Sequence, residues 1–166
     1  MQSFRVFDLD GTVICSNHRK ATLPDGSLDL VHWIENNTPD KIARDSLLPL
    51  IDLMRVQFDK GHRIVICTAR VLGDADYEFF MMNFVPFHDV LSRPMGCTMG
   101  DAELKDIQLR LYAQAQGISW AKFCALSKVY DDNLGVLDRL GSIGMDCKNA
   151  VNINKALTGM AMLKHG

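Results

Sequence analysis

Residues Ser3–Val13 read SFRVFDLDGTV, and the architecture follows from how that stretch is interpreted. The apolar run Phe4–Phe7, broken only by Arg5, is closed downstream by Gly11 and reads as a buried strand ending in a sharp turn. Asp8 and Asp10 stand two apart at its carboxyl end, ahead of Gly11 and Thr12. Alternate residues of an extended chain face the same side, so both carboxylates crowd one spot. Such crowding is tolerated where a cation or a shared proton lies between the acids. A single Asp-Gly pair would be an ordinary turn. An apolar strand delivering Asp-x-Asp-Gly-Thr points to a site.

From Cys15 to Asp45 the periodicity is lost; the stretch carries His18-Arg19-Lys20, Trp33 and the turn signals Pro24-Asp25-Gly26 and Thr38-Pro39-Asp40. An irregular segment of about thirty residues inside a domain is commonly a lid or binding loop. The sequence therefore predicts a flap at about 15–45, anchored on the core by Trp33 with Val31 and Ile34. The basic triplet, so soon after two aspartates, is placed to meet an anionic substrate. Ser46 then opens a helix in which Leu47, Leu50, Ile51, Met54 and Phe58 recur at helical spacing. Ser46 or Asp45 is its expected cap, Pro49 is tolerated in its first turn, and Gly61 closes it. A second buried strand, Ile64–Cys67, runs into Thr68-Ala69-Arg70, so strand, helix and strand form a parallel crossover.

The rest of the chain continues the alternation. A helix is expected over 77–85, ended by Pro86, then a brief strand over 89–91 and a helix over 102–116 capped by Asp101. Leu104, Ile107, Leu111 and Ala115 form the expected buried face of that helix. Lys105 lies one turn in, where the macrodipole does not favour an ammonium, which suggests another role for it. After an ambiguous short helix at 119–127, Val129-Tyr130 runs into Asp131-Asp132-Asn133. Adjacent aspartates can cap the next helix (134–140), but as another strand end carrying acids they read better as part of a site. Met145–Val151 is the expected last strand, and the final fifteen residues show no pattern.

Composition bounds the rest. A chain of 166 residues fits one domain with a substantial core. A net charge of −2 lacks the dense basic surface that unspecific nucleic-acid binding requires. Five scattered cysteines without a C-x-x-C pair predict neither a disulfide framework nor a zinc site, and point to a reducing, cytoplasmic setting. No signal-peptide pattern or membrane-length apolar run is expected.

Open α/β sheets bind ligands at the carboxyl ends of their strands. Here those ends present Asp8 and Asp10, Thr68, and Asp131 with Asp132, while Lys105 enters on a helix. Several carboxylates with few nitrogen ligands make a hard-oxygen site suited to Mg²⁺. Carboxylate, cation, lysine and hydroxyl together are equipment for phosphoryl transfer. No G-x-x-x-x-G-K-[ST] loop occurs, which excludes a P-loop kinase, and no plausible Ser-His-Asp set sits at the strand ends.

In order, FDLDGT, ICTAR, the Lys105 helix and VYDDN resemble the four motifs of the haloacid dehalogenase (HAD) superfamily of aspartyl-phosphate phosphatases, over Phe4 to about Ala150. The resemblance implies a Rossmann-like three-layer sandwich with a mostly parallel central sheet and a minimal cap. It implies that Asp8 attacks phosphorus and that Asp10 protonates the leaving oxygen, then activates water. Thr68 and Lys105 would bind phosphoryl oxygens, with Gly11 and Thr12 also in the binding loop. Mg²⁺ would take Asp8, the backbone carbonyl of Asp10 and an acid of the last motif, Asp132 directly with Asp131 in support. An aspartate at position 10 points to a phosphatase within that superfamily.

Within it the chain is most similar to phosphatase domains of phage-type polynucleotide kinase/3′-phosphatases, by Arg19, Arg70 and Asp101-x-x-x-Lys105. That resemblance implies a 3′-phosphate on a nucleotide or nucleic-acid end as substrate, with Arg19 and Arg70 at the phosphate. Asn133 departs from the arginine usual there. Deoxynucleotidases share the Asp-Asp ending and imply free 5′-monophosphates instead. A non-catalytic HAD-like binding protein is the third alternative, and it would have no need of Asp10.

Overall fold

The computed structural model describes residues 1–165. Its elements in chain order are β1 (Phe4–Phe7), β2 (Ile14–Cys15), α1 (Leu30–Glu35), α2 (Pro39–Ile42), β3 (Ser46–Leu47) and α3 (Leu50–Asp59). There follow β4 (Arg63–Cys67), α4 (Asp74–Met82), β5 (Asp89–Leu91), α5 (Asp101–Ala115), α6 (Trp120–Leu126), β6 (Ser127–Asp131), α7 (Leu134–Ser142), β7 (Asp146–Asn149) and α8 (Ala150–His165). Five strands form a parallel sheet in the order β5-β4-β1-β6-β7. β2 and β3 pair antiparallel in a separate small sheet.

Alternation along the strands builds the three layers. Phe4, Val6, Val65, Cys67 and Val129 pack with Leu109, Phe123, Val136 and Leu140 of α5, α6 and α7. Phe7, Ile64, Ile66 and Tyr130 point the other way, onto Leu50, Ile51 and Met54 of α3, Phe79 and Phe80 of α4, and Ala150 of α8. A sheet covered on both faces needs apolar residues at every strand position, which is why β1 and β4 carry nearly unbroken apolar runs. From β1 the chain steps outward to β4 and β5, then returns to β6 on the other side of β1. The strand order reverses beside β1, so the carboxyl ends of β1 and β6 open on one crevice.

Several boundaries differ from the sequence reading. Ser46 does not open a helix; Ser46–Leu47 is β3, and α3 starts at Leu50 after Pro49. Asp45 is not free to cap, because its carboxylate accepts from Arg19. α4 starts at Asp74, where the Asp76 carboxylate accepts the Gly73 amide at 2.9 Å. α5 begins at Asp101 after Gly100, and its buried face includes Leu104, Lys105, Leu109, Tyr112 and Ala113. Ile107 and Leu111 lie outside that face, 40% and 59% exposed. β7 ends at Asn149, whose side chain accepts the amides of Val151 and Asn152 and turns the chain into α8.

Residues up to His165, patternless in sequence, are thus helical, and Asn154 on α8 locks two distant segments. Its Nδ2 donates to the Thr12 carbonyl at 2.9 Å and its Oδ1 accepts the Leu50 amide at 2.7 Å. The 15–45 stretch is largely irregular, as expected, but it is broken by a 3₁₀ turn at Asn17–Arg19 and by the short helices α1 and α2, with β2 and β3 paired at its feet. Within it Trp33 stacks on Arg19, whereas Val31 and Ile34 are exposed instead of anchoring the segment. All five cysteines are free. No helix among the described residues is long and apolar enough to cross a membrane.

Candidate active site

β1 delivers Asp8 and β6 delivers Asp131 side by side, since Phe7 pairs with Tyr130 in register and the Asp8 amide donates to the Tyr130 carbonyl at 3.0 Å. Lys105, one turn into α5, reaches between them: its Nζ lies 2.9 Å from Asp8 Oδ1 and 2.6 Å from Asp131 Oδ2. The other Asp131 oxygen accepts the Asn133 amide at 2.9 Å. Asp8, Asp131 and Lys105 are all buried, so their charges act through little water. Burial pushes the Asp8 carboxyl up from 3.8 to about 8; Lys105 opposes this and Asp131 adds to it. Burial acts to lower Lys105, but Asp8 and Asp131 beside it outweigh that and hold the ammonium above its ordinary value. Asp132 is also raised, by burial and then by Asp131.

One ammonium thus faces a surplus of carboxylate. Asp8, Asp131 and Asp132 each offer an oxygen within 4.8 Å of the others, a donor set that fits a hard divalent cation. Gly11 makes the close approach possible: its φ is +77°, and a Cβ there would sit 2.8 Å from Asp132 Cγ. Asp131 has both oxygens engaged by Lys105 and Asn133, which leaves Asp132 the freer acid.

Asp10 stands apart from this cluster. Its Oδ1 accepts from Ser16 Oγ at 2.7 Å, and Arg70 Nε lies 3.4 Å from its Oδ2. Thr68, at the end of β4, is buried and accepts the Arg70 amide on its Oγ1 at 3.1 Å. Thr12 is wholly buried with its hydroxyl unpartnered. Asp8, Asp131, Asp132 and Lys105 are therefore assembled at the crevice, Thr68 ends the neighbouring strand, and Arg70 reaches Asp10.

Two expected binding residues are placed elsewhere. Arg19 is 1% exposed, with Nε and Nη2 on Asp45 at 2.9 and 2.8 Å, Nη1 on Asn37 at 3.0 Å, and its plane 4.3 Å from the Trp33 ring. It is a buried strut of the flap, not a phosphate ligand. Asp101 is on the outer turn of α5, paired with Arg93 Nη2 at 2.8 Å. Conversely, Ser16, Asp45 and Asp76 contact Asp10 or Arg70, and nothing in the sequence marked them as site residues. Lys20, part of the basic triplet, is the flap cation whose charge is felt at Asp132.

A family model described as bacteriophage T5 5′-deoxynucleotidase matches residues 1–165. The chain belongs to that family. It is 41% identical over 78 residues to a 5′-deoxynucleotidase of Escherichia phage T5, a match covering 45% of this chain and 32% of that protein. The chain thus spans about a third of the curated relative it matches. The chain shares its fold with solved HAD-like hydrolases. A HAD-like hydrolase from Streptococcus pneumoniae superposes with a TM-score of 0.59 at 11% identity, over 88% of this chain and 83% of that one. The Pnkp1/Rnl/Hen1 RNA repair complex gives 0.62 at 18% identity, over 89% of this chain and 42% of that one. The HAD-like fold expected from the four motifs is therefore the one observed.

Proposed function

We propose that this chain is a Mg²⁺-dependent phosphomonoesterase that works through an aspartyl-phosphate and hydrolyses deoxynucleoside 5′-monophosphates. The observation that carries the reading is the division of labour between the two first-motif acids. Asp8 lies in the Lys105–Asp131–Asp132 cluster, while Asp10 is held outside it by Ser16. A nucleophile and a separate acid/base are what a two-step hydrolysis needs.

In the first step Asp8 forms a bond to phosphorus, the bond to the leaving oxygen breaks, and the proton of Asp10 goes to that oxygen. In the second, water attacks the phosphorus, Asp10 takes its proton, and the bond to Asp8 breaks. Lys105 and Thr68 hold the phosphoryl oxygens through both steps. Asp8, Asp132 and the Asp10 carbonyl would hold Mg²⁺, with Asp131 in support, and the ion neutralises charge on those oxygens when bound. The reading treats residues 1–166 as one catalytic domain with its flap over about 15–45, acting in a reducing cytoplasm as five unpaired cysteines suggest.

For the substrate, the match of the family over residues 1–165 supports a 5′-monophosphate. The 3′-phosphate reading retains Arg70 and Asp101-x-x-x-Lys105 in its favour. It loses the flap arginine, because all three Arg19 nitrogens are taken. The test compares kcat/KM for a deoxynucleoside 5′-monophosphate with that for a 3′-phosphorylated dinucleotide. Preference for the dinucleotide overturns the 5′ assignment, and no turnover of any phosphomonoester leaves the non-catalytic alternative. Asp8→Asn should abolish turnover, and Asp10→Asn should lower it by about 10²–10⁴-fold.

A further inference from the structure

Asp10 is held from two directions, and both lead into the flap. Ser16, fully buried, directly follows β2 at one foot of the flap, and its hydroxyl donates to Asp10 Oδ1 at 2.7 Å. Asp45 directly precedes β3 at the other foot. Its Oδ2 lies 3.9 Å from Arg70 Nη1, and Arg70 Nε in turn lies 3.4 Å from Asp10 Oδ2. Asp76 Oδ1, from the first turn of α4, flanks the same Nη1 at 3.3 Å. The two feet are tied by the β2–β3 pairing of Ile14 with Leu47 and Cys15 with Ser46. Arg19 grips both Asp45 oxygens, so the foot carrying Asp45 is fixed from within the flap.

Arg70 is an unusual side chain in this setting. It is 6% exposed, yet its Nε and Nη1 make no aligned hydrogen bond and stand at ion-pair distance from three carboxylates. A guanidinium so surrounded is held by field rather than by a single partner, and it presents a fixed positive charge to Asp10. With Ser16 on one oxygen and Arg70 facing the other, the Asp10 carboxyl has little rotational choice.

Resting on the phosphatase reading above, we propose that Ser16 and Arg70 are positioning residues for Asp10, with Asp45 and Asp76 holding Arg70, so that the feet of the flap set the aim of the acid/base. The consequence is specific to proton transfer. A general acid must come within about 2.6–3.2 Å of the oxygen it protonates, and a misplacement of about 1 Å can cost on the order of 10²-fold. That cost falls on substrates whose leaving oxygen needs the proton. An aryl phosphate with an acidic phenol leaves without it, and kcat/KM reports only the steps up to the phosphoenzyme.

The experiment measures kcat/KM for a deoxynucleoside 5′-monophosphate and for an activated aryl phosphate in wild type, Ser16→Ala, Asp45→Asn and Asp10→Asn. Ser16→Ala should lose about 10–100-fold on the nucleotide and keep the aryl phosphate rate within about 3-fold. Asp45→Asn should show the same selective loss. In the Asp10→Asn background Ser16→Ala should add nothing, because the two act through one carboxyl. Equal losses on both substrates, or no loss on either, overturn the proposal, as does a full additional loss in the double variant. Should Asp45→Asn fail to fold for want of a partner to Arg19, Ser16→Ala and the double variant still decide. An inactive wild type overturns the phosphatase reading itself, whereas an active wild type with unselective variants overturns only this inference.

Discussion

The metal-free protein should lose stability as pH rises through neutrality, and Mg²⁺ should remove most of that loss. Burial first, then Asp131, raises the Asp8 carboxyl from 3.8 to about 8 against the pull of Lys105. Below the lower value the native and unfolded states both hold the proton. Between the two values only the native state holds it, and stability falls by about 1.4 kcal/mol per pH decade. Across that interval the loss sums to several kcal/mol, a large part of the roughly 5–15 kcal/mol that a domain has in total. Asp132 is raised by the same causes and works in the same direction. Lys105 is raised from 10.5, so what it contributes is present throughout this range and adds no slope.

A divalent cation among Asp8, Asp131 and Asp132 takes over the role of the retained proton, so its binding should release protons and tighten with pH. Urea unfolding, followed with chelator and with Mg²⁺ from about pH 5 to about pH 8, reads both effects. With chelator the free energy should fall steeply across the series; with Mg²⁺ the curve should flatten, and the increment should be largest at the alkaline end. Asp8→Asn should remove most of the slope. A metal-free stability that stays level or rises with pH would refute the assignment of this cluster, as would an Mg²⁺ increment equal at both ends.

Two further perturbations test how the first-motif loop is held. Gly11→Ala forces a β-carbon into the left-handed region and against the Asp132 carboxylate; it should cost about 1–2 kcal/mol of stability. Mg²⁺ affinity, read by titration calorimetry, should fall further than that strain requires, and wild-type affinity would show that Asp132 is not a ligand. Asn154→Ala leaves the Leu50 amide and the Thr12 carbonyl without their partners; about 2–4 kcal/mol should be lost in urea unfolding. A loss under about 1 kcal/mol would mean that these groups find other partners without strain.

What the sequence made legible was local. Asp8 and Thr68 each follow an apolar strand and Asp131 ends one, and strand ends are visible in a hydropathy pattern without knowledge of the rest of the chain. The crossover β1–α3–β4 was legible for the same reason. The errors fall on polar residues whose partners are far away in sequence. α5 buries Lys105, and Asp106 beside it, because Lys105 meets Asp8 and Asp131 while Asp106 meets Arg110 and Arg139. A face chosen by apolar residues alone was therefore rotated towards Ile107 and Leu111. Asn154 bonds to groups 104 and 142 positions away, a relation that no local window contains.

Arg19 is the sharpest instance, and its burial explains why the flap is built as it is. A basic triplet beside two aspartates looks like an anion site, because exposed arginine is the common case. Here the guanidinium is enclosed by Asp45, Asn37 and Trp33. A buried ion pair gives little net stability over an apolar contact of the same size, since both charges must leave water. What it supplies is direction: two parallel N–H donors fix both oxygens of one carboxylate, as apolar contacts could not. Asp45 is the acid so fixed, and it is also the flap residue that faces Arg70. A flap held by its apolar side chains alone could slide on the core, and the exposed Leu30, Val31 and Ile34 offer it little hold in any case. The arginine is consumed inside the flap because the position of Asp45, and through Arg70 that of Asp10, depends on a contact that cannot rotate.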